Sequence, residues 1–221
     1  MFSSAHLPWC PLTLEIQISC QCERDRYLVS AALAGAGSIV GYIFAKIIGS
    51  IAGEGDSIHL FFDGGQSLIS AIIAVIALRP TSNESSVRRI GAYSQAFLLA
   101  MAAVLIWVDA SHHNDVPRSG VQMIVLGIAS SAVAIIRFIV VHSEWKTITG
   151  KGEVLHVGID VATSFCVLLA GIAVLLGAPA WDKIAAMWFI APIALLNSGY
   201  ILWHARFGEI HSHHGHDHHH H

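Results

Sequence analysis

Charge is the scarcest commodity in this 221-residue chain, with Asp, Glu, Lys and Arg together supplying 12% of it. A water-soluble domain carries about 25%. So few ionic groups cannot cover a water-facing surface, which excludes an ordinary cytosolic globule and a disordered chain. Twelve basic residues against fifteen acidic ones leave a net charge of −3, so no basic footprint for nucleic acid exists. Four cysteines, Cys10, Cys20, Cys22 and Cys166, form no CxxC pair, which removes zinc-ribbon and dithiol redox chemistry. Cys166 lies in an apolar run and reads as a small buried residue. The first 25 residues lack the basic start, apolar stretch and cleavage site of a signal peptide. HExxH, a Gly-rich phosphate loop and a Ser–His–Asp set are also missing, so no enzymatic role and no resident cofactor are expected.

Present in excess are apolar residues, 54% of the chain with a mean hydropathy of +0.61, and histidine, fifteen in all. A membrane helix needs about 20 mainly apolar residues. Six windows qualify, at 27–49, 56–79, 89–110, 117–142, 152–177 and 181–206. Polar breaks divide them, among them Gly53-Glu54-Gly55-Asp56 and Glu144 through Gly152. Short connections make successive spans antiparallel. The expected fold is therefore all-α, a polytopic membrane bundle of six transmembrane helices. Residues 1–26 form a cytoplasmic N-terminal segment, 27–206 the membrane domain and 207–221 a His-rich cytoplasmic tail.

Orientation follows from Lys and Arg. Arg24, Arg26, Arg79, Arg88, Arg89, Lys146, Lys151 and Arg206 fall on one side, against Lys46, Arg118 and Lys183 on the other. Both termini are expected in the cytoplasm, with a bacterial inner (plasma) membrane as the site of residence. Arg137 is left inside span four, where a long stem that reaches the interface accounts for it.

Ionisable groups in lipid are expensive, so each needs a reason. Span two carries His59, Asp63, Gln66, Ser67 and Ser70 on one helical face. Span five carries His156, Asp160, Thr163 and Ser164 in the same register. His59-Leu-Phe-Phe-Asp63-Gly-Gly-Gln-Ser67 thus matches His156-Val-Gly-Ile-Asp160-Val-Ala-Thr-Ser164 in its His, Asp and Ser. The two segments are the middle helices of spans 1–3 and 4–6. An odd number of spans per unit inverts the second, a 3+3 inverted repeat of the kind that places transport sites at the repeat interface. Two imidazoles and two carboxylates brought face to face make a tetrahedral N/O set that suits Zn2+. Mg2+ and Ca2+ want more oxygens. The competing account is a pair of interhelical His–Asp hydrogen bonds. Gly64, Gly65 and Gly158 would let helices approach beside the pairs.

These residues resemble the cation diffusion facilitator family, six-span zinc-transporter-type antiporters, over roughly residues 27–206. The family's second-span segment resembles Asp56-Ser-Ile-His59-Leu-Phe-Phe-Asp63, and its fifth span resembles Leu155-His156-Val-Gly-Ile-Asp160. Arg89-Ile-Gly-Ala-Tyr93-Ser-Gln95-Ala-Phe is loosely similar to its third span, and Trp181-Asp182 echoes the Trp-x-Asp before its sixth. The resemblance implies export of Zn2+ from the cytoplasm in exchange for protons, with His59, Asp63, His156 and Asp160 as ligands to the transported ion. Co2+, Fe2+, Mn2+ and Cd2+ are the competing ions. It also implies a homodimer, here through the transmembrane helices. Family members usually continue into a cytoplasmic metal-binding domain, which is expected to be lacking here. The alternatives are a membrane metal-binding or sensing protein without transport, and a structural or assembly protein.

Three secondary metal stations present themselves. The tail, His211 through His221, would concentrate Zn2+ at the cytoplasmic mouth, and its closing run reads equally as a purification tag. His112, His113, Asp109 and Asp115 make an outer polar loop, and Cys10, Cys20, Cys22 and His6 a candidate capture site.

Overall fold

The computed structural model describes residues 21–77, 83–112, 119–144 and 148–207, and the described residues form helices with no strand among them. Helix α1 runs Gln21–Ile48, α2 Ile51–Ala77, α3 Glu84–His112, α4 Gly120–Val141 and α5 Ile148–Leu175. A sixth, α6, covers Ala180–Phe207 and carries one π-helical turn at Ala186–Ile190. All six are long and apolar enough to cross a membrane. Their outward faces bear residues such as Ile39, Val40, Ile47, Phe97 and Leu196, while His59, Asp63, Gln66, His156 and Asp160 are buried. Apolar outside and polar inside is the arrangement lipid demands, and the chain is a multi-pass membrane protein.

Two hairpins begin alike. After α1 and after α5 the chain turns on a positive-φ glycine, Gly49 at 68° and Gly177 at 89°. Ser50 N–H reaches back to the Ala45 carbonyl, and Ala178 N–H to that of Ala173, the six-to-one bond of a Schellman ending. The first turn is therefore Gly49-Ser50. The segment Gly53-Glu54-Gly55-Asp56, expected as the break between spans one and two, lies inside α2. It is helical because its groups are satisfied there. Asp182 of α6 caps the helix start, accepting from Ile51 N–H at 2.9 Å, Ala52 N–H at 2.8 Å and Ser50 Oγ at 3.0 Å. Glu54 pairs with Lys46, and Ser164 donates to Asp56. The break expected over Glu144–Gly152 is likewise shorter, since α5 already starts at Ile148.

Each helix of the first triplet meets its counterpart in the second: α1 packs on α4, α2 on α5 and α3 on α6, while α1–α2 and α4–α5 form the tight hairpins. The closest approach is α4 against α5. A Cβ on Gly120 would stand 2.6 Å from the Gly171 carbonyl oxygen, and one on Gly127 2.7 Å from the Leu168 nitrogen. That crossing carries Arg137 of α4 onto α5. Gly64, Gly65 and Gly158, expected to permit close packing, have looser surroundings, the nearest atoms lying 3.4, 3.5 and 3.9 Å away.

Candidate metal centre

His59 and His156 each sit two turns in from the start of their helices, about 12 Å along the axis. Because α2 and α5 run oppositely, both HxxxD faces point at one another near the bundle centre. The structure brings all four expected residues together: His59, Asp63, His156 and Asp160 are buried, and each offers a ligand atom within 4.8 Å of the others. His156 Nε2 stands 2.6 Å from Asp63 Oδ1 and 3.6 Å from Asp160 Oδ1. His59 Nε2 stands 3.3 Å from Asp160 Oδ1, and the two rings meet edge-on with centroids 5.4 Å apart. A tetrahedral ion with bonds near 2.1 Å places its ligands about 3.4 Å apart, so small side-chain shifts would seat one.

The imidazoles differ. Asn197 of α6 donates its amide N–H to His156 Nδ1 at 2.7 Å, so Nε2 carries the hydrogen that His156 gives to Asp63. Among the described residues neither nitrogen of His59 has a hydrogen-bond partner, although the residue is 1% exposed. A buried ring with two unanswered nitrogens beside two carboxylates is the mark of a ligand position.

Arg137 overturns its expected role. It does not reach an interface: it is fully buried, donating from Nη1 to Asp160 Oδ2 at 2.7 Å and from Nε to Ser30 Oγ at 3.2 Å. Asp63 Oδ2 lies 3.6 Å from the same nitrogen. A guanidinium taken out of water needs a paired anion, and two carboxylates of the centre supply it. Its signal in the sequence was a lone charge within an apolar span.

A second carboxylate flanks each pair. Asp56 and Glu153 are buried, each three residues before its histidine. Ser164 donates to both oxygens of Asp56, at 3.2 and 3.3 Å. Ser67 and Ser70 donate to Glu153, and Gln95 donates to Ser70 at 2.6 Å. Each acid is thus held by the serine of the opposite repeat. Glu153 was missed from the sequence, but Gly53-Glu-Gly-Asp56-x-x-His59 and Gly150-Lys-Gly-Glu153-x-x-His156 align without a gap.

The secondary stations fare differently. His112 is exposed and donates through Nδ1 to its own helix at the Val108 carbonyl, 2.8 Å away. Cys22 is buried and Cys166 partly so. His6, Cys10, Cys20, His113, Asp115 and the histidine tail lie outside the described residues.

Fold and site together define a multi-pass membrane protein with a buried His-Asp/His-Asp cluster fit for a metal ion. No protein-family model matches the chain, and no curated protein matches it.

Proposed function

We propose that this protein carries divalent cations, Zn2+ foremost, out of the cytoplasm in exchange for protons, with His59, Asp63, His156 and Asp160 binding the ion in transit. The observation that carries the reading is the orphaned His59 ring facing Asp160 across two antiparallel helices of an inverted repeat. Two nitrogens and two carboxylate oxygens match the donor taste of Zn2+, and the carboxylates offset its charge. The resemblance of both HxxxD segments to the cation diffusion facilitator family supports the same reading. So does the excess of Lys and Arg on one side, which puts both termini in the cytoplasm.

Exchange follows from ligand chemistry. An imidazole must give up its acidic proton before its nitrogen lone pair can bind metal, so each imidazolium that becomes a ligand releases one proton. Ligation of His156 through Nε2 leaves its remaining hydrogen on Nδ1. Asn197 then has to present Oδ1, an atom with no partner among the described residues. Rocking of one triplet against the other exposes the site alternately to the two faces. Protons returning to the imidazoles on the far side release the ion.

His59→Ala is the substitution of choice, because among the described residues the ring has no partner at hydrogen-bond geometry, its nearest polar contact being Asp160 Oδ1 at 3.3 Å, so its loss should disturb the bundle little. In proteoliposomes under an imposed pH gradient, the native protein should accumulate Zn2+ and the variant should not. Native-level flux in the variant excludes this site. A second reading, binding or sensing without transport, draws on how tightly the centre is closed, all four ligands being at most 2% exposed. Zn2+ bound by the native protein without flux selects it.

A further inference from the structure

Arg137 divides each carboxylate of the centre in two. Asp63 Oδ1 and Asp160 Oδ1 face the imidazoles, at 2.6 Å from His156 Nε2 and 3.3 Å from His59 Nε2. Asp160 Oδ2 and Asp63 Oδ2 face the guanidinium, at 2.7 and 3.6 Å from Nη1. The fork is itself anchored, through Nε to Ser30 of α1. Its helix is pressed against α5 by Gly120, Gly127 and Gly171, whose added Cβ atoms would fall 2.6–2.8 Å from backbone of the facing helix.

The division has a chemical consequence for any ion at the centre. With Oδ2 of Asp160 bonded to the guanidinium and Oδ2 of Asp63 turned toward it at 3.6 Å, each Asp presents its other oxygen to the imidazoles. The donor set is then two imidazole nitrogens and two single oxygens. Ca2+ and Mn2+ are hard ions that favour more oxygens, often from bidentate carboxylates. Zn2+ is content with four ligands and gains from imidazole nitrogen. The fixed positive charge acts in the same direction. It weakens purely electrostatic attraction for every dication, and the ion with the strongest nitrogen bonding loses least.

Resting on the tetrad as the cation site, we propose that Arg137 determines which dication is accepted. By bonding the outer oxygen of Asp160 and drawing that of Asp63 toward its charge, it keeps the centre four-coordinate, admitting nitrogen-preferring ions and turning away oxygen-preferring ones. It is a positioning and selectivity residue, not a ligand. Lys cannot replace it, since a single ammonium on a flexible stem lacks the separate Nε–H that anchors the guanidinium to Ser30 while Nη1 faces the carboxylates.

The test is the ratio of Mn2+ to Zn2+ dissociation constants, measured by chelator competition on the purified full chain in nanodiscs. Relative to the native protein, Arg137→Met should lower that ratio by about tenfold or more, the scale on which groups behind the ligands act. Arg137→Lys, which keeps the charge and so protects the fold, should lower it by a smaller factor. Should Arg137→Met fail to fold, Arg137→Lys decides alone. A ratio unchanged in the folded variants, even with both constants shifted equally, overturns the proposal. His59→Ala separates the two ideas. If the native protein binds Zn2+, His59→Ala does not and the Arg137 ratio stays fixed, only the selectivity role is lost. If native and His59→Ala proteins bind alike, the tetrad reading falls and this inference with it.

Discussion

The α2 and α5 halves of the centre present the same side chains in the same order, but the surrounding helices hold them unequally. On α5, His156 is bonded at both nitrogens, to Asp63 and Asn197, and Asp160 takes the shorter arm of Arg137. On α2, His59 has no partner at hydrogen-bond geometry among the described residues and meets Asp160 at 3.3 Å, and Asp63 lies 3.6 Å from the guanidinium. An inverted repeat therefore fixes where groups sit without fixing what they touch. The two neighbours that differ, Arg137 of α4 and Asn197 of α6, both come from the second triplet. On the proposed function, the clamped half would keep the shape of the centre through α5 and the loose half would take up and release the ion through α2.

The sharpest way to break this comparison is to remove the carboxylates one at a time. Asp160→Ala strips Arg137 of its near anion in a fully buried setting, and breaking a buried pair costs about 3–5 kcal/mol. Asp63→Ala leaves the 2.7 Å bond between Arg137 and Asp160 in place, gives up only the bond from His156, which costs about 1–3 kcal/mol, and so should cost less. Thermal unfolding in detergent checks this. Equal losses would mean that the guanidinium is shared evenly and that the asymmetry is not energetic.

A middle-sized effect separates the imidazoles. His156→Ala leaves Asp63 and Asn197 without their bonds, and unsatisfied buried groups cost about 1–3 kcal/mol. His59→Ala abandons no bonded group and should change stability less. If Zn2+ binds as proposed, it should protect the native fold by about 2.7 kcal/mol at a hundredfold excess over the dissociation constant, and both variants should lose that protection. Melting curves with and without Zn2+ report both quantities. A variant at either histidine that still gains stability from Zn2+ would remove that residue from the ligand set.

How much of this was readable beforehand depends on whether a group's reason is local or tertiary. Hydropathy over 20-residue windows located the six helices, because lipid imposes one composition on every span. The offsets of His, Asp and Ser placed four side chains on two faces, and helical periodicity alone brought them together. Gly53 through Asp56 read as a loop because glycine and acid mark turns in water. Here Asp182, Lys46 and Ser164 supply what water would, from residues far along the chain or across the bundle. Arg137 read as an interfacial side chain because its anions lie on other helices. Asn197 was invisible for the same reason, since the Asn197-Ser198 pair in α6 shares no pattern with the His and Asp of α2 and α5. Glu153 was within reach. Its place three residues before His156 repeats that of Asp56 before His59, and extending the alignment by one turn would have found it.

The smallest expected difference tests the flanking acids, where the repeat is most nearly symmetrical. Ser67 donates to Glu153 and stands 3.0 Å from Ser30 Oγ, so it joins α2 to both α5 and α1. Ser164 donates only to Asp56, at 3.2 and 3.3 Å, lengths at the weak end for a hydroxyl and a carboxylate. Ser30 in turn receives the Arg137 Nε–H. Removing the Ser67 hydroxyl therefore loosens the anchor of the guanidinium as well as Glu153, whereas removing that of Ser164 loosens Asp56 alone. A hydrogen bond to a charged group contributes about 1.5–3 kcal/mol and a neutral one about 1. Ser67→Ala should thus exceed Ser164→Ala in lost stability by about 1 kcal/mol, and it alone should shift the Mn2+ to Zn2+ ratio in the direction of the Arg137 variants. Equal losses with no shift in that ratio would show the two flanks to be interchangeable, and would confine the asymmetry of the centre to its histidines and Arg137.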